Sequence, residues 1–380
     1  MEMQTRKRVL MAMSGGVDSS VSALVLRDAG YEVEGVTLKL FDNEDAFIED
    51  ESTCCSVKDT EDARQVCLEL GIPHFVYNFT RTFSTDVIER FCDSYVRGET
   101  PNPCIDCNRY VKFAALQQRR RELDFDYVAT GHYARRAFNE ETGRYELKRG
   151  LDDNKDQSYV LFHLTQDTLA HMLFPLGELT KPRVRELALS HGFINAQKSE
   201  SQDICFVPDG DYARFIEKRL EETETRIENT EDESPFSAFS EGDIVDREGH
   251  VLGRHNGLIH YTIGQRKGIG VAAREPLYVF AKDAIRNELV VDTNANTMCN
   301  AIEVRDVNFI SRAGLAQPER FVVKAHYRQK ARAAIVEQTD DNRLLITFEE
   351  PQRACAAGQA AVVYDGDTVV CGGTIDRSIS

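Results

Sequence analysis

The sequence predicts an α/β chain in three parts: a parallel-sheet domain, a small central domain and a C-terminal β-barrel. Three observations carry that prediction. Short apolar runs alternate with segments of helical spacing over residues 8–130. The alternation gives out near residue 212, where a Glu-, Thr- and Asp-rich stretch follows. Beyond it come short strand-like runs punctuated by glycine turns.

The run Arg8-Val-Leu-Met-Ala-Met13 has the apolar continuity of a buried strand and stops at Ser14-Gly15-Gly16. Over 18–29, Val21, Leu24 and Val25 recur at helical spacing, and Gly30 is the stop signal. Residues 33–40 read as a second strand. Residues 60–70 read as a helix ended by Gly71-Ile72-Pro73. Residues 74–78 are a third strand, and 127–130 a fourth that closes at Gly131-His132. Strands alternating with helices imply a parallel sheet covered on both faces. Ligands of such sheets sit at the carboxyl ends of the strands, so motifs that start there can share one site. The first domain is assigned to 1–212, an acidic linker or insertion plus the small central domain to 213–298, and the barrel to 299–380. Barrel strands are expected at 321–326, 332–336, 344–348 and 360–364.

The chain has 380 residues, too many for a single core. Hydrophobic residues make up 42% and charged residues 29%, an ordinary globular composition. No apolar run approaches the ~18 residues that span a bilayer. The first ten residues lack the apolar core of a signal peptide, so a cytoplasmic protein is expected. Ten cysteines in a reducing compartment are not a disulfide framework. The formal charge of −17 excludes a non-specific nucleic-acid coat but leaves room for a local basic groove. The acidity is concentrated in 221–233, which holds seven carboxylates, whereas 109–121 and 328–332 are locally basic.

Ser14-Gly15-Gly16-Val17-Asp18-Ser19-Ser20 joins the first strand to the first helix. Glycines allow close backbone approach, and a helix N-terminus offers free N–H groups with the positive end of its dipole. Ser14, Ser19 and Ser20 add hydroxyls, a set suited to pyrophosphate. The Gly-Lys-Ser/Thr that grips a γ-phosphate in kinases and GTPases is missing. The segment resembles the PP-loop, whose enzymes cleave ATP to AMP and pyrophosphate and form adenylates.

Thr100-Pro-Asn-Pro-Cys104-Ile-Asp-Cys107-Asn108 is the second motif. Its prolines fix a non-helical approach, and a helix is expected over 109–113, which would place Cys107 at a helix start beside cations. That position predicts a lowered thiol pKa and a nucleophilic thiolate. Ser199-Glu-Ser-Gln-Asp203-Ile-Cys205-Phe206 is the third motif, weak alone because a lone cysteine is most often packing.

Together these segments resemble the bacterial tRNA-specific 2-thiouridylases, which place sulfur on C2 of the wobble uridine. The resemblance spans nearly the whole chain. It continues through Cys54-Cys55 with Asp59 and Asp62-Ala63-Arg64, Ala129-Thr-Gly-His-Tyr133, Lys155-Asp-Gln-Ser-Tyr159 and His260-Tyr-Thr-Ile-Gly-Gln-Arg-Lys-Gly-Ile-Gly270. It implies a Rossmann-like PP-loop domain of the adenine nucleotide alpha hydrolase kind. Ala12, Met13, Ser14, Gly15, Gly16, Val17, Asp18, Ser19 and Leu38 would hold ATP, with Gly131 near the adenine or ribose. Cys205 would carry a persulfide received from a sulfur-relay protein or cysteine desulfurase. Cys107 would release its sulfur or close a disulfide after transfer. Asn102 and Pro103 would lie near the target base. His132, Lys155, Asp156, Gln157, Tyr327, Arg328 and Gln359 would touch tRNA, and Mg²⁺ would neutralise the departing pyrophosphate, with Asp18 as an indirect contact.

One departure stands out: many relatives have Asp where this chain has Cys104, and Asp106 is out of register with it. Cys104, Cys107 and Cys205 are also enough thiolates for a [4Fe–4S] cluster with one open position. Persulfide chemistry is ranked first and the cluster second. Cys54-Cys55, Cys67, Cys92, Cys299, Cys355 and Cys371 are read as structural. Arg119-Arg120-Arg121 reads as an exposed helix face as readily as an RNA contact, whereas Arg328, Lys330 and Arg332 are expected on one strand face. Two rivals remain at this level: a PP-loop adenylating ligase without a sulfur step, and a non-catalytic RNA-binding metal module.

Overall fold

The computed structural model describes residues 6–42, 47, 57–199, 204–224, 238–293, 298–353 and 355–379. Cys54, Cys55, residues 201–203 of the third motif and most of the acidic stretch lie outside them.

The first domain is built on a parallel sheet of β1 (Arg8–Ala12), β2 (Glu32–Lys39), β3 (His74–Asn78), β4 (Tyr127–Ala129) and β7 (Met172–Leu173), in the order β3-β2-β1-β4-β7. β1 is central, with Leu10 opposite Glu34 on one side and Val128 on the other. Side chains alternate across the sheet, as the two-residue period demands. Val9 and Met11 enter a cluster with Val21 and Leu24 of α1 (Val17–Asp28) and with Val66 and Cys67 of α2 (Val57–Leu70). Leu10 enters a second cluster with Phe91, Val111 and Leu116. Each such fully buried aliphatic side chain contributes about 1.5–3 kcal/mol. α1 ends at Ala29, and Gly30 follows at φ +89°, the left-handed conformation glycine supplies at helix ends. The short β7 carries too little apolar pattern to be legible in the sequence.

The central domain is a four-stranded sheet, β8 (Gly242–Val245), β9 (Val251–His255), β10 (Leu277–Asp283) and β11 (Glu288–Thr293), in the order β10-β11-β8-β9. The C-terminal domain is a closed barrel of β12 (Met298–Phe309), β13 (Glu319–Lys324), β14 (Arg332–Asp340), β15 (Arg343–Arg353), β16 (Ala360–Asp365) and β17 (Thr368–Ile379). Its strands run β12-β15-β14-β13-β16-β17, and β12 pairs again with β17 to close it. Closure removes the sheet edges.

The hairpin of β5 (Ala134–Asn139) and β6 (Arg144–Arg149) leaves the first domain and extends the barrel sheet at β17, where Thr368 pairs with Lys148. Arg135 seals the junction, with Nη2 2.6 Å from Asp367. The two domains therefore share a sheet, and the Leu10 cluster runs on into Val362, Tyr364 and Val369 of the barrel. Arg328 and Lys330 fall in the turn between β13 and β14, not on a strand face with Arg332 as expected, because β13 ends at Lys324. Among the described residues no helix is long and apolar enough to cross a membrane.

Candidate active site

The loop after β1 is held open by its own hydroxyls. Ser14 N donates to Ser19 Oγ at 3.2 Å, and the hydroxyls of Ser19 and Ser20 donate to Gly16 O at 2.9 and 3.1 Å. Gly16 is the N-cap of α1 and brings no side-chain cap, so the first N–H groups of the helix stay available to an anion. Gly15 sits at φ +72°, and a Cβ there would lie 2.2 Å from the carbonyl oxygen of Asp59. Gly15→Ala is therefore expected to abolish ATP binding, measured by equilibrium dialysis, because loop and α2 would have to part. Gly131 follows β4 and packs against the same helix start, where a Cβ would be 3.0 Å from Ser19 N. Leu38 is buried near the end of β2.

Several residues that sequence reasoning missed brace this cradle. The Lys181 amine is 2.7 Å from both carboxylate oxygens of Asp18, and the Tyr133 hydroxyl donates to Asp18 Oδ1 at 2.7 Å. Lys181 is buried, a placement a lysine takes only when paired. Lys198 pairs with Asp59 and Asp62 and donates to Gly15 O at 3.2 Å. Asn195 Nδ2 donates to Gly15 O and Ser20 Oγ, both at 2.9 Å. Lys181 lies 163 positions from its partner, beyond the reach of local pattern.

The second motif forms one helical run made of Pro103–Asp106, a wider-wound Cys107–Phe113 and Ala114–Glu122. Asn102 is its N-cap, with Oδ1 accepting from Cys104 N at 3.1 Å, and Pro103 takes the first turn. Here the structure corrects the sequence reading. The helix begins four residues before Cys107, so Cys104 lies in its first turn and is exposed, while Cys107 is buried on the next turn. Burial pushes the Cys107 thiol up to about 11, against a smaller opposite pull from Lys112. The expected low-pKa thiolate is not what this environment makes.

Cys107 belongs to the same apolar cluster as Leu10 and Phe91, and Cys205 packs against that cluster from the other motif. Phe206, next in chain, stacks edge-on to Phe83 and Phe91 at 5.7 and 5.5 Å, which seats the segment there. Neither cysteine is in a disulfide. Burial raises the Asp106 carboxyl, opposed by Arg90 at 3.7 Å.

The residues expected to meet RNA converge from two domains. Burial pushes the Tyr327 phenol up, and Asp156 and Cys104 beside it add to the effect, with Lys155 and Arg328 opposing. Tyr327 packs 5.7 Å from the Tyr159 ring. Some of the expected contacts have structural duties. Asp156 Oδ1 accepts from Ser158 N at 3.0 Å and Gly150 N at 3.2 Å, and Gln157 Oε1 accepts from Tyr133 N at 3.0 Å. Gln359 is buried and donates from Nε2 to Thr100 O at 2.6 Å, which docks the barrel onto the Thr100-Pro101-Asn102 approach. His132 accepts or shares a proton with Thr130 Oγ1 at 2.8 Å, and burial then Lys112 push it down to about 3, so it is neutral. Arg120 is buried on Gln117 and Phe125 O, so the triple arginine is not one exposed face. Cys299 and Cys355, read as structural, are buried together in the barrel core.

Comparison with known proteins gives three consecutive family matches: a tRNA methyl transferase HUP domain over 7–209, a tRNA methyl transferase PRC-barrel domain over 235–293, and an aminomethyltransferase beta-barrel domain over 299–375. Full-length relatives are more specific. The tRNA-specific 2-thiouridylase MnmA of Moorella thermoacetica is 47% identical over 97% of this chain and 99% of its own. That of Carboxydothermus hydrogenoformans is 45% identical over 100% of both, and that of Clostridioides difficile 44% over 98% and 99%. The chain belongs to the tRNA-specific 2-thiouridylase family. Among solved structures, a 4-thiouridine synthetase–RNA complex with bound ATP is 16% identical over 58% of this chain and 52% of that one, at a TM-score of 0.35, too distant to carry function.

The first domain carries the Ser14–Ser20 loop, Cys107 and Cys205. The barrel supplies Tyr327, Arg328 and Gln359, and the Asn102–Cys104 turn lies where the two meet.

Proposed function

We propose that this chain carries out ATP-dependent 2-thiolation of the wobble uridine of tRNA, by adenylating the uracil C2 oxygen and transferring sulfur from a Cys205 persulfide. One observation carries the reading: a single helical run begins at the Asn102–Cys104 turn beside Tyr327 and leads Cys107 into the apolar cluster that Cys205 borders. A base held at that turn would lie about one helical turn from Cys107, which requires it to leave the anticodon stack.

The uracil C2 carbonyl is a poor electrophile. Attack of its oxygen on the α-phosphorus of ATP releases pyrophosphate and makes AMP the leaving group. The N–H groups at the start of α1, with Ser14 and Ser19, stabilise the departing pyrophosphate. Three carboxylates that touch or flank the loop, Asp18, Asp59 and Asp62, are already paired with Lys181 or Lys198. Mg²⁺ would neutralise charge on the departing pyrophosphate.

The terminal sulfur of Cys205–S–SH attacks C2 and AMP departs, leaving a Cys205–S–S–C2 linkage. The Cys107 thiolate attacks the Cys205 sulfur, the S–S bond to the transferred atom breaks, and 2-thiouridine leaves behind a Cys107–Cys205 disulfide. Alternatively Cys107 attacks first, forms the same disulfide and frees hydrosulfide, which then attacks C2. Either way an external dithiol reduces the disulfide before the next turnover, and a persulfide relay protein or cysteine desulfurase reloads Cys205. Because burial holds the Cys107 thiol up at about 11, its thiolate fraction grows about tenfold per pH unit below that value. Single-turnover thiolation is expected to rise with pH from 7 to 10, whereas pyrophosphate release is not. A flat thiolation profile would remove Cys107 from the slow step.

A second reading is favoured by Cys104 standing exposed one turn from Cys107. Cys104, Cys107 and Cys205 would hold a [4Fe–4S] cluster whose open iron would supply a site for sulfide. Anaerobic purification with iron and sulfide analysis separates the readings. Iron-free protein, ATP and a defined persulfide donor should form 2-thiouridine with one AMP per thiolation. Activity confined to iron-loaded protein would favour the cluster.

A further inference from the structure

A cleft of about 680 Å³ lies on the flank of the Pro103–Glu122 run, bounded by residues 162–168 and by the barrel at Asp306, Asn308 and Asn342. Its size is within the ~300–1,000 Å³ typical of small-ligand clefts. His163 lines it, is only 8% exposed, and has no hydrogen-bond partner at either ring nitrogen. Burying a polar ring without partners is costly, and here the backbone on both sides is pinned. Asn308 Nδ2 donates to Phe162 O at 2.7 Å and to Leu164 O at 3.0 Å, so the histidine is fixed in this position. Two cations share the lining. Arg109 has no ion pair or hydrogen bond among the described residues, and its guanidinium lies 5.1 Å from the Tyr110 ring centroid. Arg121 reaches Asp167 only at 4.0 Å, with both side chains mostly exposed.

On a chain of net charge −17, two exposed arginines flanking an unpartnered imidazole form a local site for an anion that also offers hydrogen-bonding groups. A nucleotide fits that description. Phe113 connects the cleft to the active site, its ring 5.9 Å from His163 and 5.8 Å from His132.

We propose that this cleft binds one ribonucleotide of the tRNA other than the target uridine, its phosphate met by Arg109 and Arg121 and a base or ribose group hydrogen-bonded to His163. The proposal rests on tRNA being the substrate. Its RNA source, rather than a free nucleotide, is favoured by the continuity with the active site along one helical run.

The test measures tRNA affinity by fluorescence anisotropy across a salt series for wild type, Arg121→Gln, Arg109→Gln and His163→Leu. Arg121 is on the last turn of the run, away from Cys107, so its variant leaves the thiol undisturbed. Each arginine variant is expected to bind tRNA about tenfold more weakly and to lower the slope of log K against log salt by about one, with ATP binding unchanged. His163→Leu is expected to weaken tRNA binding while keeping the thermal midpoint. Wild-type affinity and slope in both arginine variants would overturn the subsite while leaving the thiolation reading intact. A wild-type protein that does not bind tRNA would overturn both. In a parallel titration with free AMP, loss of AMP affinity in Arg121→Gln with an unchanged tRNA slope would assign the cleft to a small nucleotide and overturn the RNA proposal.

Discussion

Cys205→Ser is expected to abolish 2-thiouridine formation, by about 10³-fold or more, while tRNA-dependent release of AMP and pyrophosphate persists. The size of the effect follows from chemistry rather than packing. A serine hydroxyl cannot carry a persulfide, and Cys205 is only partly buried, so the change of one atom costs little stability. Cys107→Ser is also inactive in turnover, but its failure has a different form. If the persulfide attacks C2 directly, Cys107→Ser stops at the Cys205–S–S–C2 linkage, and tRNA is trapped on the protein. That species is visible as a non-reducing gel shift that a small thiol removes. If hydrosulfide is freed first, no linkage accumulates. Product formation by either serine variant at wild-type rate would return the chain to an adenylating enzyme without a cysteine sulfur step.

Lys181→Met is expected to lower the rate of pyrophosphate release by about 10²–10³-fold, the usual cost of removing one preorganised donor from developing charge. Lys181 is the buried cation that holds both oxygens of Asp18 at the start of α1. It is the side chain best placed to exchange a carboxylate for phosphate when ATP enters. Stability falls less than activity. Asp18 is about a third exposed, so losing its partner costs about 1–2 kcal/mol rather than the 3–5 kcal/mol of a fully buried pair. Pre-steady-state release of pyrophosphate measures the first effect and chemical denaturation the second. Pyrophosphate release within threefold of wild type would leave Lys181 a purely structural brace.

The phosphate loop was legible in the sequence because strand, loop and helix are contiguous, and their periodicities and glycines sit side by side over a short stretch. The barrel was legible for the same reason: β-branched runs and turns repeat locally. What escaped depends on distance along the chain. Lys181, Asn195 and Lys198 reach the loop from well over a hundred positions away. The β5–β6 hairpin joins a sheet whose other strands begin near residue 298, and nothing in its own pattern announces that partner. Cys107 was misread because Asn102 and Pro103 start the helix earlier than its apolar pattern does. The cap moved the helix start to Pro103, and burial then reversed the expected pKa shift. His163 carried no signal, since a single histidine between Phe162 and Leu164 looks like an ordinary core position.

Single-turnover transfer from a preloaded protein tests the sulfur route most directly. Cys205 is charged with heavy-isotope persulfide, excess donor is removed, and ATP with unmodified tRNA is added to iron-free enzyme. Heavy sulfur should leave the Cys205 peptide at the rate at which heavy 2-thiouridine forms, with a Cys107–Cys205 disulfide appearing in equal amount. Heavy sulfur remaining on Cys205 while the tRNA gains light sulfur would contradict the account.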